Sequence, residues 1–242
     1  MLARYDAYWA DFLGIDIADW ATSGISFRAH VALRGYQGLW CFRRHDRIVV
    51  SAPAPWLSRL EARFSTWTSE RFVDPQALSD ALGAACLRVI GPAFQGCVSP
   101  AGTSESDVLQ ARPIELVDPA AVRRFREACP DDAWSTAGMN DAQRWQHAFV
   151  DHDGVSAIAG LRIRTDEVGD VGVVTRPDAR RRGRGATVVR AVVARALEAG
   201  TLPLYQTLVS NVAAVRLALA AGFESYATHV AVRLRDDGGS MG

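Results

Sequence analysis

The residues with the clearest chemical content run from Val173 to Ala186, as Val173-Val174-Thr175-Arg176-Pro177-Asp178-Ala179-Arg180-Arg181-Arg182-Gly183-Arg184-Gly185-Ala186. An apolar run gives way to a short stretch rich in arginine and glycine, and then to a helical pattern. The first turn of a helix leaves backbone amides without acceptors, and its macrodipole places positive charge there, so such a junction binds anions. Gly183 and Gly185 would let the main chain approach a phosphate with no Cβ in the way. Arg180, Arg181, Arg182 and Arg184 add the charge that a diphosphate attracts. A P-loop would need lysine after its glycine, and the chain contains no lysine. A dinucleotide fingerprint would need a third glycine where Val188 stands, and an acidic residue about 20 positions on. The spacing that is satisfied is Arg or Gln, two residues, Gly, one residue, Gly or Ala, with Arg180, Gly183 and Gly185 in place.

The flanking residues extend the pattern. Val173-Val174-Thr175 precedes Pro177, and downstream come Ser210-Asn211-Val212-Ala213-Ala214, Leu217 and Gly222-Phe223. With these elements the stretch from about Arg112 to Leu234 resembles the GNAT superfamily of N-acetyltransferases. The resemblance implies an α+β fold with a mixed sheet and a ligand that is acetyl-CoA or another acyl-CoA. It implies that amides from Arg181 to Ala186 hold the pyrophosphate, that the strand Val173-Val174-Thr175 pairs with the pantetheine arm, and that Asn211 sits beside that arm. A helix N-terminus for the diphosphate and open strand amides for an amide-rich arm agree with this on physical grounds.

The implied reaction moves an acetyl group to a primary amine of a small molecule or a protein by direct attack in a ternary complex, since no cysteine lies near the loop to carry the acyl group. An amine must lose a proton to attack, and the oxyanion needs a donor, which the resemblance places on a strand amide near Val174. Asp170 occupies the place where many members carry a glutamate base, and Glu167 in the preceding turn is a second candidate. The family's tyrosine acid, after the leucine of the Asn-x-x-Ala-x-x-Leu pattern, is replaced here by Ala218. Tyr226 and Tyr205 are the nearby phenols in sequence, and Tyr226 is taken as the candidate acid. A chain that keeps the loop and lacks the acid could also be a non-catalytic acyl-CoA sensor; Ala218 favours that rival.

The elements that must position these residues follow from periodicity. Leu2, Tyr5, Trp9 and Phe12 recur at helical spacing, with Gly14 as a stop. Ile25 to Val31, Gly38 to Phe42 and Arg47 to Val50 read as strands, the last two as a hairpin. Helices are expected over Pro53–Phe64 and Pro75–Leu87, the latter broken by Gly91-Pro92. The run Ser99 to Ser106 is small, polar and rich in turn formers, so the expected domains are 1–104, a smaller α+β unit that is either a degenerate copy or a cap, and 105–242, the acetyltransferase part. In the second part we expect a strand at Arg112–Val117, a helix from Pro119 to about Cys129, and a hairpin of Trp145–Val150 with Val155–Arg164 through Asp153-Gly154. A strand at Asp170–Thr175, a helix at Ala186–Ala199, a strand at Leu202–Val209, a helix at Val212–Ala221 and a strand at Glu224–Leu234 complete it. Extra halves in this family commonly shape the acceptor pocket or a dimer face, which leads us to expect that the first part walls the acceptor side, with a homodimer as the other option.

Composition removes several classes. The 242 residues balance 27 arginines against 27 Asp and Glu, a net charge of zero, whereas a nucleic-acid binder is usually basic. With 49% hydrophobic and 22% charged residues the chain is an ordinary globular one. No apolar run has membrane-spanning length, and Met1 to Asp6 lacks the basic-then-apolar order of a signal peptide. Cys41, Cys86, Cys97 and Cys129 form no CxxC pair and read as buried thiols in a reducing cytoplasm. His147, His152 and His229 stand apart from any cysteine or carboxylate cluster, so no metal is expected. The tryptophans Trp9, Trp20, Trp40, Trp56 and Trp67 fit the core of the first half.

Overall fold

The computed structural model describes residues 1–98, 110–140, 142–165 and 167–235. In chain order the first elements are α1 (Leu2–Leu13), β1 (Gly24–Ala29), β2 (Gly38–Arg44), β3 (Arg47–Ala52), α2 (Leu57–Arg63), α3 (Pro75–Leu82) and β4 (Cys86–Val98). They are followed by β5 (Ala111–Pro113), α4 (Pro119–Glu127), α5 (Ala133–Thr136), β6 (Arg144–Asp151), β7 (Gly154–Thr165), β8 (Val168–Thr175), α6 (Arg184–Glu198), β9 (Leu202–Leu208), α7 (Val212–Ala220) and β10 (Phe223–Leu234). The fold is α+β with mixed pairing, as expected. Two compact units form: Met1–Gln95 with Thr207–Val212 and the chain from Ser225 onward, and Gly96–Gln206 with Ala213–Glu224. The expected linker at 99–106 and the tail beyond 235 lie outside the described residues.

The first unit carries strands in the order β1-β3-β2-β10-β4. The hairpin of β2 and β3 is antiparallel, β1 joins β3 in parallel, and β10 returns to lie antiparallel to β2 with Val230 opposite Cys41. Because successive side chains of a strand point to opposite faces, Trp40 and Phe42 meet α1 while Leu39 and Cys41 meet α2 and α3. On the α1 face Trp9 lies 4.6 Å from Phe42 and Phe12 lies 6.1 Å from Trp40, ring centre to ring centre. On the other face Leu60, Phe64, Phe72 and Leu78 pack with Val50, Val230 and Val232 in a dry cluster. The helix expected to Leu87 ends at Leu82, and β4 was not anticipated because Gly91-Pro92 reads as a break. Its reason is a close approach: a Cβ on Gly91 would stand 2.9 Å from the His229 carbonyl oxygen, and φ there is 130°.

The second unit carries the order β9-β8-β7-β6-β5. Asp118 caps α4 by accepting from the Ala120 amide at 2.9 Å, and Pro119 supplies a first turn that needs no donor. Phe125 of α4 then packs with Met139, Ala148, Val155, Ile158 and Val174. The strand expected over Arg112–Val117 is shorter, ending at Pro113 before a turn of 3-10 helix at Ile114–Leu116, and α5 is an added short helix. Helix α6 buries Ala186, Val188, Val189, Val192, Val193 and Ala196. Strands β8 and β9 run parallel but pair only over Val168–Asp170 against Leu202–Leu204. Among the described residues no helix is long and apolar enough to cross a membrane.

Candidate functional site

Strand β8 delivers the chain into the arginine-rich turn. After Thr175 comes a single turn of 3-10 helix, Pro177–Ala179, held by the Arg176 Nε donating to Asp178 Oδ1 at 2.6 Å. That hydrogen bond holds the Asp178 carboxyl below the usual carboxylate range. Arg181 (φ 60°) and Gly183 (φ 77°) are both left-handed, so the chain doubles back before α6 begins. The first bond within α6 runs from the Thr187 amide to the Gly183 carbonyl at 3.0 Å, and no side chain caps the helix. The amides of Arg184, Gly185 and Ala186 therefore open the helix without intrahelical acceptors. Arg180, Arg181 and Arg182 are exposed around them.

The two glycines and the four arginines divide their labour differently from the sequence expectation. A Cβ on Gly183 would meet nothing within 4 Å, so the space over the turn is open there. A Cβ on Gly185 would stand 2.7 Å from Leu217 Cδ1 and 2.8 Å from Thr175 Oγ1. Gly185 thus permits close packing of α6 on β8 and α7. Arg184 turns its guanidinium onto Asp151, 2.7 Å away, with both side chains nearly buried, so it offers the turn its amide rather than its charge. Arg180 donates from Nε to the Thr175 carbonyl at 3.4 Å. Contrary to the expectation that His152 stands apart from carboxylates, it lies with Asp151 and Asp153 in one group whose ligand atoms fall within 4.8 Å of one another, and Asp151 in that group is paired with Arg184.

Past Asp170 and Leu204, β8 continues through Val173, Val174 and Thr175 without further pairing to β9. A strand edge released in this way presents backbone groups that an extended, amide-rich ligand could pair with. At the start of that release lies a cleft of about 170 Å³, lined by Thr136, Ala137, Gly138, Arg162, Asp170, Val171, Gly172 and Gln206. Gly172 is obligatory in its wall, since a Cβ there would stand 2.8 Å from the Ala137 carbonyl oxygen.

Asp170 is 8% exposed and faces two cations. Its Oδ2 accepts from Arg162 Nη2 at 2.9 Å and from Arg164 Nε at 2.5 Å. Among the described residues its Oδ1, which is buried, has no hydrogen-bond partner, and Gln206, on the same cleft, has a buried Nε2 in the same condition. Arg162, Arg164 and Gln206 were missed in the sequence. A signal for the arginines existed: Arg162 and Arg164 share one face of β7, and the antiparallel pairing of β7 with β8 sets Arg162 opposite Asp170. Gln206 had none, because its place depends on where β9 parts from β8.

Glu167 is exposed in the β7–β8 turn. Tyr205 is buried, which pushes its phenol up to about 12. The hydroxyl of Tyr226 donates to Asp6 Oδ1 at 2.8 Å in the first unit, where Asp6 also holds Arg44 at 2.6 Å and the Arg44 guanidinium lies 4.5 Å from the Tyr226 ring centre. Asn211 lies in the turn between β9 and α7 and bonds from its amide to the Leu208 carbonyl at 2.9 Å. Ala218 is fully buried in α7.

Residues 118–223 match the family model of the acetyltransferase (GNAT) family. This part of the chain is a GNAT acetyltransferase domain. Solved structures similar to the chain include a GNAT-family protein from Novosphingobium aromaticivorans, 23% identical, covering 61% of this chain and 65% of that one at a TM-score of 0.45. Another, a GNAT-family acetyltransferase from Colwellia psychrerythraea, is 15% identical and covers 62% of this chain and 59% of that one at 0.47. A GCN5-related N-acetyltransferase-like protein from Streptococcus suis is 13% identical and covers 97% of this chain and all of that one at 0.39. The chain thus spans just under two thirds of the length of the first two. No curated protein matches. Acyl transfer is the general activity of the GNAT domain.

Proposed function

We propose that the protein is an acetyl-CoA-dependent N-acetyltransferase acting on a primary amine. One observation carries the reading: within the matched GNAT domain, a single strand, β8, holds Asp170 in a polar cleft and leads, through the turn after Thr175, to the open N-terminus of α6. The amides of Arg184, Gly185 and Ala186, with Arg180, Arg181 and Arg182 around them, would hold the pyrophosphate. The unpaired edge Val173–Thr175 would hold the pantetheine arm, with the amide near Val174 as the oxyanion donor. Bound acetyl-CoA would supply a thioester carbonyl activated for attack.

The amine enters at the cleft and gives up its proton toward Asp170 Oδ1, the oxygen that the two arginines leave without a partner. The C–N bond forms as the C–S bond breaks, and the departing thiolate takes up a proton from solvent, since Ala218 offers none. Tyr226, whose proton is engaged by Asp6, is given a structural part in this reading rather than the acid role. Mixing protein, acetyl-CoA and a panel of amines and following free thiol tests the proposal. Asp170→Asn is expected to lower kcat by about 100-fold or more, the usual scale for losing a general base. Binding of CoA with no thiol release on any amine would favour the sensor reading instead.

A further inference from the structure

The cleft beside Asp170 has a charge pattern that a plain amine does not use. Two guanidiniums, Arg162 and Arg164, face one carboxylate. Arg164 backs Asp170 from within, with its side chain 21% exposed, whereas the side chain of Arg162 is 48% exposed and stands on the cleft wall. Only Nη2 of Arg162 is spent on Asp170, and a guanidinium has five N–H donors in a planar fork suited to carboxylate. Gln206 adds a buried Nε2 with no partner on the same wall. The cleft therefore presents an orphaned acceptor, Asp170 Oδ1, together with two donors. Unmet buried polar groups are costly, and a ligand that satisfies all of them is favoured over one that satisfies one.

Resting on the transferase reading above, we propose that the acceptor is an amine bearing a carboxylate, in the class of free α-amino acids. Its amine meets Asp170 Oδ1, and its carboxylate meets Arg162 and the Gln206 amide. In the form that attacks, with its amine neutral, such a molecule is a monoanion, which suits the half-exposed guanidinium of Arg162. A volume of about 170 Å³ is below the roughly 300–1,000 Å³ of pockets for drug-sized ligands, which suits a small acceptor. A peptide N-terminus would present a neutral carbonyl in the carboxylate's place and lose the ionic contact to Arg162.

The test uses the full chain with acetyl-CoA and three parallel series: amino acids, their carboxamides and the corresponding decarboxylated amines. Thiol release is read as kcat and KM separately. The best amino acid is expected to exceed its amide and its amine in kcat/KM by about tenfold or more, the scale of one good charged contact. Arg162→Gln is expected to act through KM on the acid and to bring the acid-to-amine ratio close to one. Amides or amines used as well as acids by the unaltered protein would overturn this proposal and leave the transferase reading standing. A ratio preserved in Arg162→Gln would do the same. Thiol release from none of the three series would overturn the transferase reading and this proposal with it.

Discussion

At the residue scale, Gly183 and Gly185 separate two reasons for glycine that look alike in the sequence. Gly183 is left-handed under open space, and Gly185 is right-handed and pressed against Leu217 and Thr175. Gly183→Glu places a side chain and a negative charge in the open space among the amides, so CoA binding is expected to vanish in calorimetry while the fold persists at a cost of about 1–2 kcal/mol for the left-handed backbone. Gly185→Ala forces a methyl group into a filled contact and is expected to lower stability by about 1–3 kcal/mol in denaturant titration. A Gly185→Ala protein as stable as the parent would remove the packing assignment. The motif spacing was legible because it is local. That Arg184 is spent on Asp151, and Tyr226 on Asp6, was not, because each partner lies far away in the chain.

At the element scale, local signals placed most helices and strands, and the misses share a cause. Helix α1 ends at a left-handed Gly14 (φ 69°), as its position after Leu13 implies. Helix α4 starts where Asp118 and Pro119 say it must, and Asp118→Ala is expected to cost about 1 kcal/mol in thermal or denaturant unfolding, the usual worth of an N-cap. Strand β4 escaped because Gly91-Pro92 punctuates it; only the approach of β10 makes glycine necessary there. The release of β8 from β9 after Asp170 has no sequence signature either. Nothing local says where two parallel strands stop pairing.

At the scale of the whole molecule, the first unit shows how distant segments meet to fix a titrating group. His30 sits between the Ser51 hydroxyl, 2.7 Å from Nδ1, and the Gly38 carbonyl, 3.1 Å from Nε2. Burial holds its pKa below 6.5 despite backbone hydrogen bonds that act the other way. As pH falls below 6.5 the unfolded chain takes up a proton that the folded chain still refuses, so stability is expected to decline from there down through the folded value. Unfolding followed from pH 7.5 to pH 5 should show this, and His30→Gln should flatten the decline; an unchanged profile in the variant would remove His30 as its source. The sequence by itself determined the arginine- and glycine-rich turn, most of the helices and strands around it and the family that residues 118–223 match, because spacing, caps and periodicity act over a few residues. Only the tertiary structure decided which carboxylate oxygen is left without a partner, which arginines are spent on it, and where β8 and β9 part, because those depend on strand register and on charges that meet only when the chain is folded.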